Sequence, residues 1–121
     1  MYKRQIFTSD NGTAEGVPSI LNGEEYIGGK LSSTEAGTHV ALIANWPSVI
    51  PEGLVNNDLI GFTYFFPTLA AVAGIEIPED LELDGVNFAP ILYGEDVKLP
   101  DWLYMWSVSY THLTLQTIYS V

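Results

Sequence analysis

The chain contains no cysteine, which excludes disulfides, zinc–thiolate sites and a cysteine nucleophile within this stretch. Basic residues are nearly as scarce. Three lysines and one arginine stand against fifteen acids, for a net charge of −11. So small a positive complement cannot neutralise a phosphate backbone, which disfavours nucleic acid as a partner. No apolar run reaches the roughly 18–20 residues of a membrane span. Met1-Tyr2-Lys3-Arg4-Gln5 leads into a short strand-like stretch, not into the apolar core and small-residue cleavage site of a signal peptide. What remains is a chain of 121 residues, 47% of them hydrophobic. That is too apolar for disorder and long enough for about one domain.

Charge is missing altogether between Val108 and Val121. Val108-Ser109-Tyr110-Thr111-His112-Leu113-Thr114-Leu115 resembles the translation of a transposase adapter used in preparing DNA sequencing libraries. Residues 108–121 are therefore expected to be a non-native tail, although their Thr, Tyr and Leu content also suits an edge strand. His39 is then the one native histidine. At the other end, Gln5-Ile6-Phe7-Thr8 reads as a buried strand, and Ser9-Asp10-Asn11-Gly12 as the turn after it. A buried strand so near the first residue points to the middle of a larger sheet, and so to an internal piece of a longer domain.

Between residues 12 and 33 runs a long Gly-, Asn-, Glu- and Ser-rich segment without clear periodicity, of a kind more often functional than decorative. Thr38 to Trp46 reads as a second strand, apolar enough to be buried on both faces and ended by Pro47 and Pro51. Asn56-Asn57-Asp58 offers caps for a following helix. Phe62, Phe65, Phe66, Leu69 and Val72 then fall at helical spacing up to Ala73. Pro67 within that run makes it a first-turn residue or a kink, and Gly74 is a natural C-cap. An acidic loop at 78–84, a helical turn over 86–92 ending at Gly94, and a third strand over 103–106 complete an α/β order. Tyr64, Phe65, Phe66, Trp102 and Trp106 read as core, since no basic groove accompanies them as it would a base-stacking platform.

Few residues could carry chemistry. Asp10 and Asn11 follow a strand, where sites in open α/β sheets gather. Their hard oxygens suit Ca²⁺ or Mg²⁺, but two side chains cannot fill the roughly six to eight positions of calcium, and Asp-Asn-Gly is also a common turn. Gly28-Gly29-Lys30 would let backbone approach a ligand closely and offer a compact positive charge to an oxyanion. Equally, Lys30 could be paired with Glu24, Glu25 or Glu35. His39 is either a site residue or a half-buried histidine bonded to a backbone carbonyl. The acids Glu76, Glu79, Asp80, Glu82 and Asp84 read as a solvated loop, with nothing to hold two of them at a working distance.

In their order these pieces form a series: Ile6 to Gly12, Gly28-Gly29-Lys30, Thr34 to Val40, Ala44-Asn45-Trp46-Pro47, Phe66-Pro67-Thr68-Leu69 with Ala73-Gly74, and Leu83 to Phe88. The series resembles the C-terminal half of the catalytic domain of sulfatases, members of the alkaline-phosphatase-like superfamily, from about residue 5 to 106. The resemblance implies a fragment of an alkaline-phosphatase-like α/β sandwich with a mainly parallel central sheet, residues 1–107 being the catalytic part. It implies metal-dependent hydrolysis of a sulfate ester. Asp10 and Asn11 match the pair that ligates the active-site Ca²⁺, with Mg²⁺ the alternative ion. Lys30 matches the lysine that grips the sulfate, and His39 falls among the substrate-binding candidates. A sulfated small molecule or carbohydrate is the implied substrate, and a periplasmic or secreted location the implied address. A fixed cation and a metal suit the negative charge that builds during such a reaction.

The chain departs from the family in places. Leu31 stands where glycine often follows the lysine, Ala41 where proline often follows the valine, and Tyr64 where an acid often precedes the aromatic-Pro-Thr-Leu segment. The family's formylglycine nucleophile arises from a C/S-x-P-x-R motif. Here the residues two before each proline are Gly16, Asn45, Val49, Phe65, Glu76, Phe88 and Lys98, so the nucleophile is expected in an N-terminal part of the protein, and these residues alone are expected to be inactive. Two other readings stay open: a phosphate or phosphonate ester hydrolase of the same superfamily, and a non-catalytic calcium-binding remnant.

Overall fold

The computed structural model describes residues 3–105. Trp106 and the expected tail at 108–121 lie outside them. In chain order the elements are β1 (Gln5–Thr8), β2 (Ser19–Leu21), β3 (Glu24–Tyr26), α1 (Glu35–Thr38), β4 (Leu42–Asn45), α2 (Phe65–Ala73) and α3 (Ala89–Leu92). A single 3₁₀ turn, Phe62–Tyr64, leads into α2. The mixed helix-and-strand class follows the expectation from the sequence. The described strands form two two-stranded sheets, β1 with β4 and β2 with β3, and the second is antiparallel. A mainly parallel central sheet is not among them.

The described residues fall into two compact units, 3–5 with 44–103, and 6–43 with 104–105. In the first, α2 and α3 hold the core. Tyr64, Phe88, Ala89, Ile91 and Leu99 are its buried apolar side chains. Pro67 sits in the first turn of α2, where its missing N–H has no intrahelical acceptor to serve. Gly74 ends the helix in the left-handed region, and its N–H reaches back to the Ala70 and Ala71 carbonyls. One buried hydroxyl ties the helix to the loop before α3. Thr68 Oγ1 donates to the Tyr64 carbonyl at 2.7 Å and accepts from the Phe88 N–H at 2.9 Å. Leaving that buried N–H unpaired would cost about 1–3 kcal/mol, so Thr68 carries structural weight well beyond its size. The Phe65 ring stacks on Phe62 and meets Phe88 edge-on, both at 5.6 Å between centroids. Burial also pushes the Tyr64 phenol above its ordinary pKa, because a phenolate there would lose its solvation. In the same unit Arg4 lies over the Trp46 ring at 4.3 Å, a cation–π contact.

In the second unit, β2 and β3 form a hairpin with Ser19 opposite Tyr26 and Leu21 opposite Glu24. Asn22 and Gly23 make its turn, both at positive φ, the signature of a type I′ connection.

Several expectations are corrected. β1 is a strand but not a buried one: Phe7 is 67% exposed, and Ile6 is exposed too. Thr38 to Trp46 is not one strand, because α1 takes up Glu35–Thr38 and only Leu42–Asn45 is extended pairing backbone. Its burial alternates between half-buried and exposed, so it is not covered on both faces. Asn56 and Asp58 bond to each other and cap nothing, since the next helical turn starts at Phe62. Helix α3 begins at Ala89, not 86. Residues 103–105 are not strand. Of the expected core aromatics, Tyr64 is buried and Phe65 half-buried, while Phe66 and Trp102 are exposed.

Candidate functional site

Three separated stretches of the second unit are drawn together by backbone hydrogen bonds. The turn after β1 brings Asp10 and Asn11 to its corner, closed by Ser9 Oγ donating to the Asn11 carbonyl at 3.0 Å. From there the Gly12 N–H donates to the Gly37 carbonyl at 2.8 Å, while the Thr13 carbonyl accepts from the Lys30 N–H at 3.0 Å. The Gly29 N–H donates to the Ala36 carbonyl at 3.2 Å. Segments 10–13, 28–30 and 34–39 therefore form one backbone cluster.

Glycine is what allows it. A Cβ on Gly12 would collide with the Ala36 carbonyl oxygen, one on Gly28 with the Thr13 carbonyl oxygen, and one on Gly37 with the Gly29 and Ser32 carbonyls. Gly28, Gly29 and Gly37 are buried, while Asp10 and Lys30 are exposed and Asn11 is half-buried. The backbone is packed, and the charged side chains are left facing water.

Lys30 forms no ion pair among the described residues. Glu35, one of the acids that might have neutralised it, instead places Oε1 2.9 Å from His39 Nδ1, one helical turn away. His39 caps the C-terminus of α1, its N–H donating to the Glu35 carbonyl at 2.8 Å. Its ring is 72% exposed and its partner is a carboxylate. That corrects the expectation of a half-buried histidine bonded to a backbone carbonyl. No group of three or more His, Cys, Asp or Glu side chains clusters among the described residues in a way that could hold a metal.

The turn that presents Lys30 was not foreseen. The Ser32 N–H returns to the Gly29 carbonyl at 2.9 Å, closing a four-residue turn with Lys30 and Leu31 at its centre. Leu31 has φ +77°, the value a type II turn demands at its third residue and which glycine adopts most easily. Glycine would take this φ without strain, and leucine here is strained. The left-handed conformation costs a non-glycine residue roughly 1–2 kcal/mol, and glycine gives part of that back through unfolded-state entropy. Leu31→Gly is expected to stabilise the fold by about 0.5–1 kcal/mol, read as a higher urea midpoint at unchanged slope. A lowered midpoint would mean that the leucine side chain outweighs its backbone strain.

In the other unit the Thr68 hydroxyl links the 66–69 segment to Phe88, and Gly85 lies close against the Thr63 carbonyl ahead of that segment.

The chain is similar to known proteins. Over 108 residues, 88% of the chain, it is 38% identical to the uncharacterized sulfatase YdeN of Escherichia coli, covering 19% of that protein. It is 36% identical over 85 residues, 70% of the chain, to the ulvan-active sulfatase of Formosa agariphila, and 39% identical over 98 residues, 76% of the chain, to human steryl-sulfatase. It covers 17% of each of these two. The chain belongs to the sulfatase family. It spans less than a fifth of the length of these sulfatases. No family model and no solved structure matches it.

Proposed function

We propose that residues 1–107 are the later part of a sulfatase catalytic domain, an alkaline-phosphatase-like sandwich with a mainly parallel central sheet, and that the full-length protein hydrolyses a sulfate ester. The supporting observation is the backbone cluster in which Gly12, Thr13, Gly29, Lys30, Ala36 and Gly37 bond across three segments, bringing the Asp10 turn and the Lys30 turn onto one packed base. Lys30 holds a sulfate oxygen as a compact cation, and an oriented positive charge is worth most where negative charge develops. His39 is a second contact to substrate. With Nδ1 turned to Glu35, its Nε2 remains to meet an oxygen of the ester.

A carboxylate beside a carboxamide, on an exposed turn with no side-chain hydrogen bond to Asp10 among the described residues, is a donor set of the right hardness for Ca²⁺. Asp10 and Asn11 hold the ion, with further ligands from the rest of the protein. When bound, the ion supplies positive charge that favours the developing anion. The formylglycine nucleophile belongs to the N-terminal part. The substrate class is a sulfated small molecule or carbohydrate, as in the names of the ulvan-active, steryl- and N-acetylgalactosamine-6-sulfatase relatives. The location is periplasmic or secreted; among the described residues no helix is long and apolar enough to cross a membrane.

The full-length protein is expected to release sulfate from an aryl or carbohydrate sulfate, and Asp10→Ala to lower both bound calcium and turnover. Full metal occupancy in that variant would refute the ligand assignment. Turnover confined to phosphate or phosphonate esters would replace the reaction, and calcium binding without turnover of either ester would leave a non-catalytic module.

A further inference from the structure

Lys30 is a long side chain on an exposed turn, so where its ammonium can reach depends on how firmly the turn is held. Ser32 closes the turn with two hydrogen bonds to one carbonyl. Besides its N–H, Ser32 sends its hydroxyl to the same Gly29 carbonyl, at 2.6 Å. Its oxygen is also 2.6 Å from Thr34 Oγ1. A serine hydroxyl has one proton. With that proton on the Gly29 carbonyl, which can only accept, the Thr34 hydroxyl must donate to Ser32. A directed chain results, from Thr34 at the start of α1, through Ser32, to the carbonyl immediately before Lys30. Ser32 is half-buried, and its bond to the Gly29 carbonyl is partly buried, while the bond to Thr34 is exposed.

The chain of bonds acts against a known opposing force. Leu31, between Lys30 and Ser32, carries the turn's positive φ and favours opening it. Both lone pairs of the Gly29 carbonyl are engaged by Ser32, while the Gly29 N–H is fixed to Ala36 and the Lys30 N–H to Thr13. We propose that Ser32 is a positioning residue: its hydroxyl holds the Gly29–Ser32 turn closed against the strain at Leu31 and so fixes the base from which Lys30 reaches the substrate anion. The inference rests on the role given to Lys30 above. It adds that a sulfatase with leucine after its lysine depends on the serine hydroxyl, and one with glycine there does not.

The test uses the full-length protein with a sulfate ester, comparing Ser32→Ala, Leu31→Gly and the double variant. Ser32→Ala is expected to lower kcat/KM about 10- to 100-fold, the scale of a displaced catalytic group, and hydrogen exchange over residues 28–31 should quicken. Leu31→Gly in the Ser32→Ala background should recover most of both losses, because glycine holds the turn without the hydroxyl. Ser32→Thr, which keeps the hydroxyl, should stay close to the unaltered protein. A Ser32→Ala variant with unchanged exchange over 28–31 overturns the proposal, and so does a loss that glycine at position 31 leaves untouched. If no sulfate ester is turned over by any form, the reading of the site fails, while the exchange pattern still decides whether Ser32 holds the turn.

Discussion

Lys30→Ala in the full-length protein is expected to lower kcat/KM for a sulfate ester by roughly 10²–10³, the scale of losing one oxyanion donor. The expectation follows from what surrounds the side chain. In a chain of net charge −11 the acids near Lys30 in sequence, Glu24, Glu25 and Glu35, are available to pair with it. Glu35 pairs with His39 instead, and no described acid pairs with Lys30. Its backbone, by contrast, is tied to the turn that carries Asp10, through the Thr13 carbonyl. A charge that is anchored at its base and uncommitted at its tip is arranged to meet an anion. Lys30→Arg should recover little, since the planar guanidinium does not reproduce a compact point charge. Initial rates over a range of ester concentrations check the point. A near-unchanged rate on a sulfate ester would remove Lys30 from the site.

Much of that arrangement was legible in the residues. Asp10-Asn11-Gly12 and Gly28-Gly29-Lys30 are each weak signals, yet their order along the chain carried the family resemblance, and the structure joins the two segments through Thr13 and Lys30. The helix from Phe65 to Ala73 was legible for local reasons: helical spacing of its apolar residues, a proline that only the first turn tolerates, and Gly74 in the left-handed region. The hairpin at 19–26 was missed although its cue was in plain sight. Asn-Gly between two short runs is the strongest local hairpin signal, but here the flanking strands are only three residues each, too short to show an alternating pattern.

Other errors share one cause, that burial is not a local property. Gln5 to Thr8 and Thr38 to Trp46 are apolar enough for buried strands, but their partners are set by the whole sheet, and the described residues cover only part of their apolar surface. Trp102 and Phe66 were placed in the core by residue type alone, and both are more than half exposed. Leu31 could be recognised as a departure from the family but not as a strained residue, because strain depends on φ, and φ depended on where Ser32 would send its hydrogen bonds.

The heaviest stability effect is expected at Gly12. A methyl group there would run into the Ala36 carbonyl oxygen and crowd the Gly37 backbone, and both belong to a segment held in turn by Gly29 and Thr34. Backbone cannot rotate aside as a flexible side chain can, so either the Gly12–Gly37 bond breaks or the whole 34–37 segment shifts. Gly12→Ala is expected to cost on the order of 3 kcal/mol. Gly16 supplies the control within the same loop, since nothing lies within 4 Å of a Cβ built there. Gly16→Ala should be neutral, or stabilising by up to about 1 kcal/mol through reduced unfolded-state entropy. The two alanine variants, compared by thermal or urea unfolding of the full-length protein, separate close approach from mere glycine content. Equal effects at both positions would show that the three segments are not packed through Gly12. A large loss confined to Gly12, accompanied by loss of calcium, would tie the Asp10 turn to the base beneath it, because the carboxylate proposed as the ion's ligand is two residues from the glycine that fixes the turn.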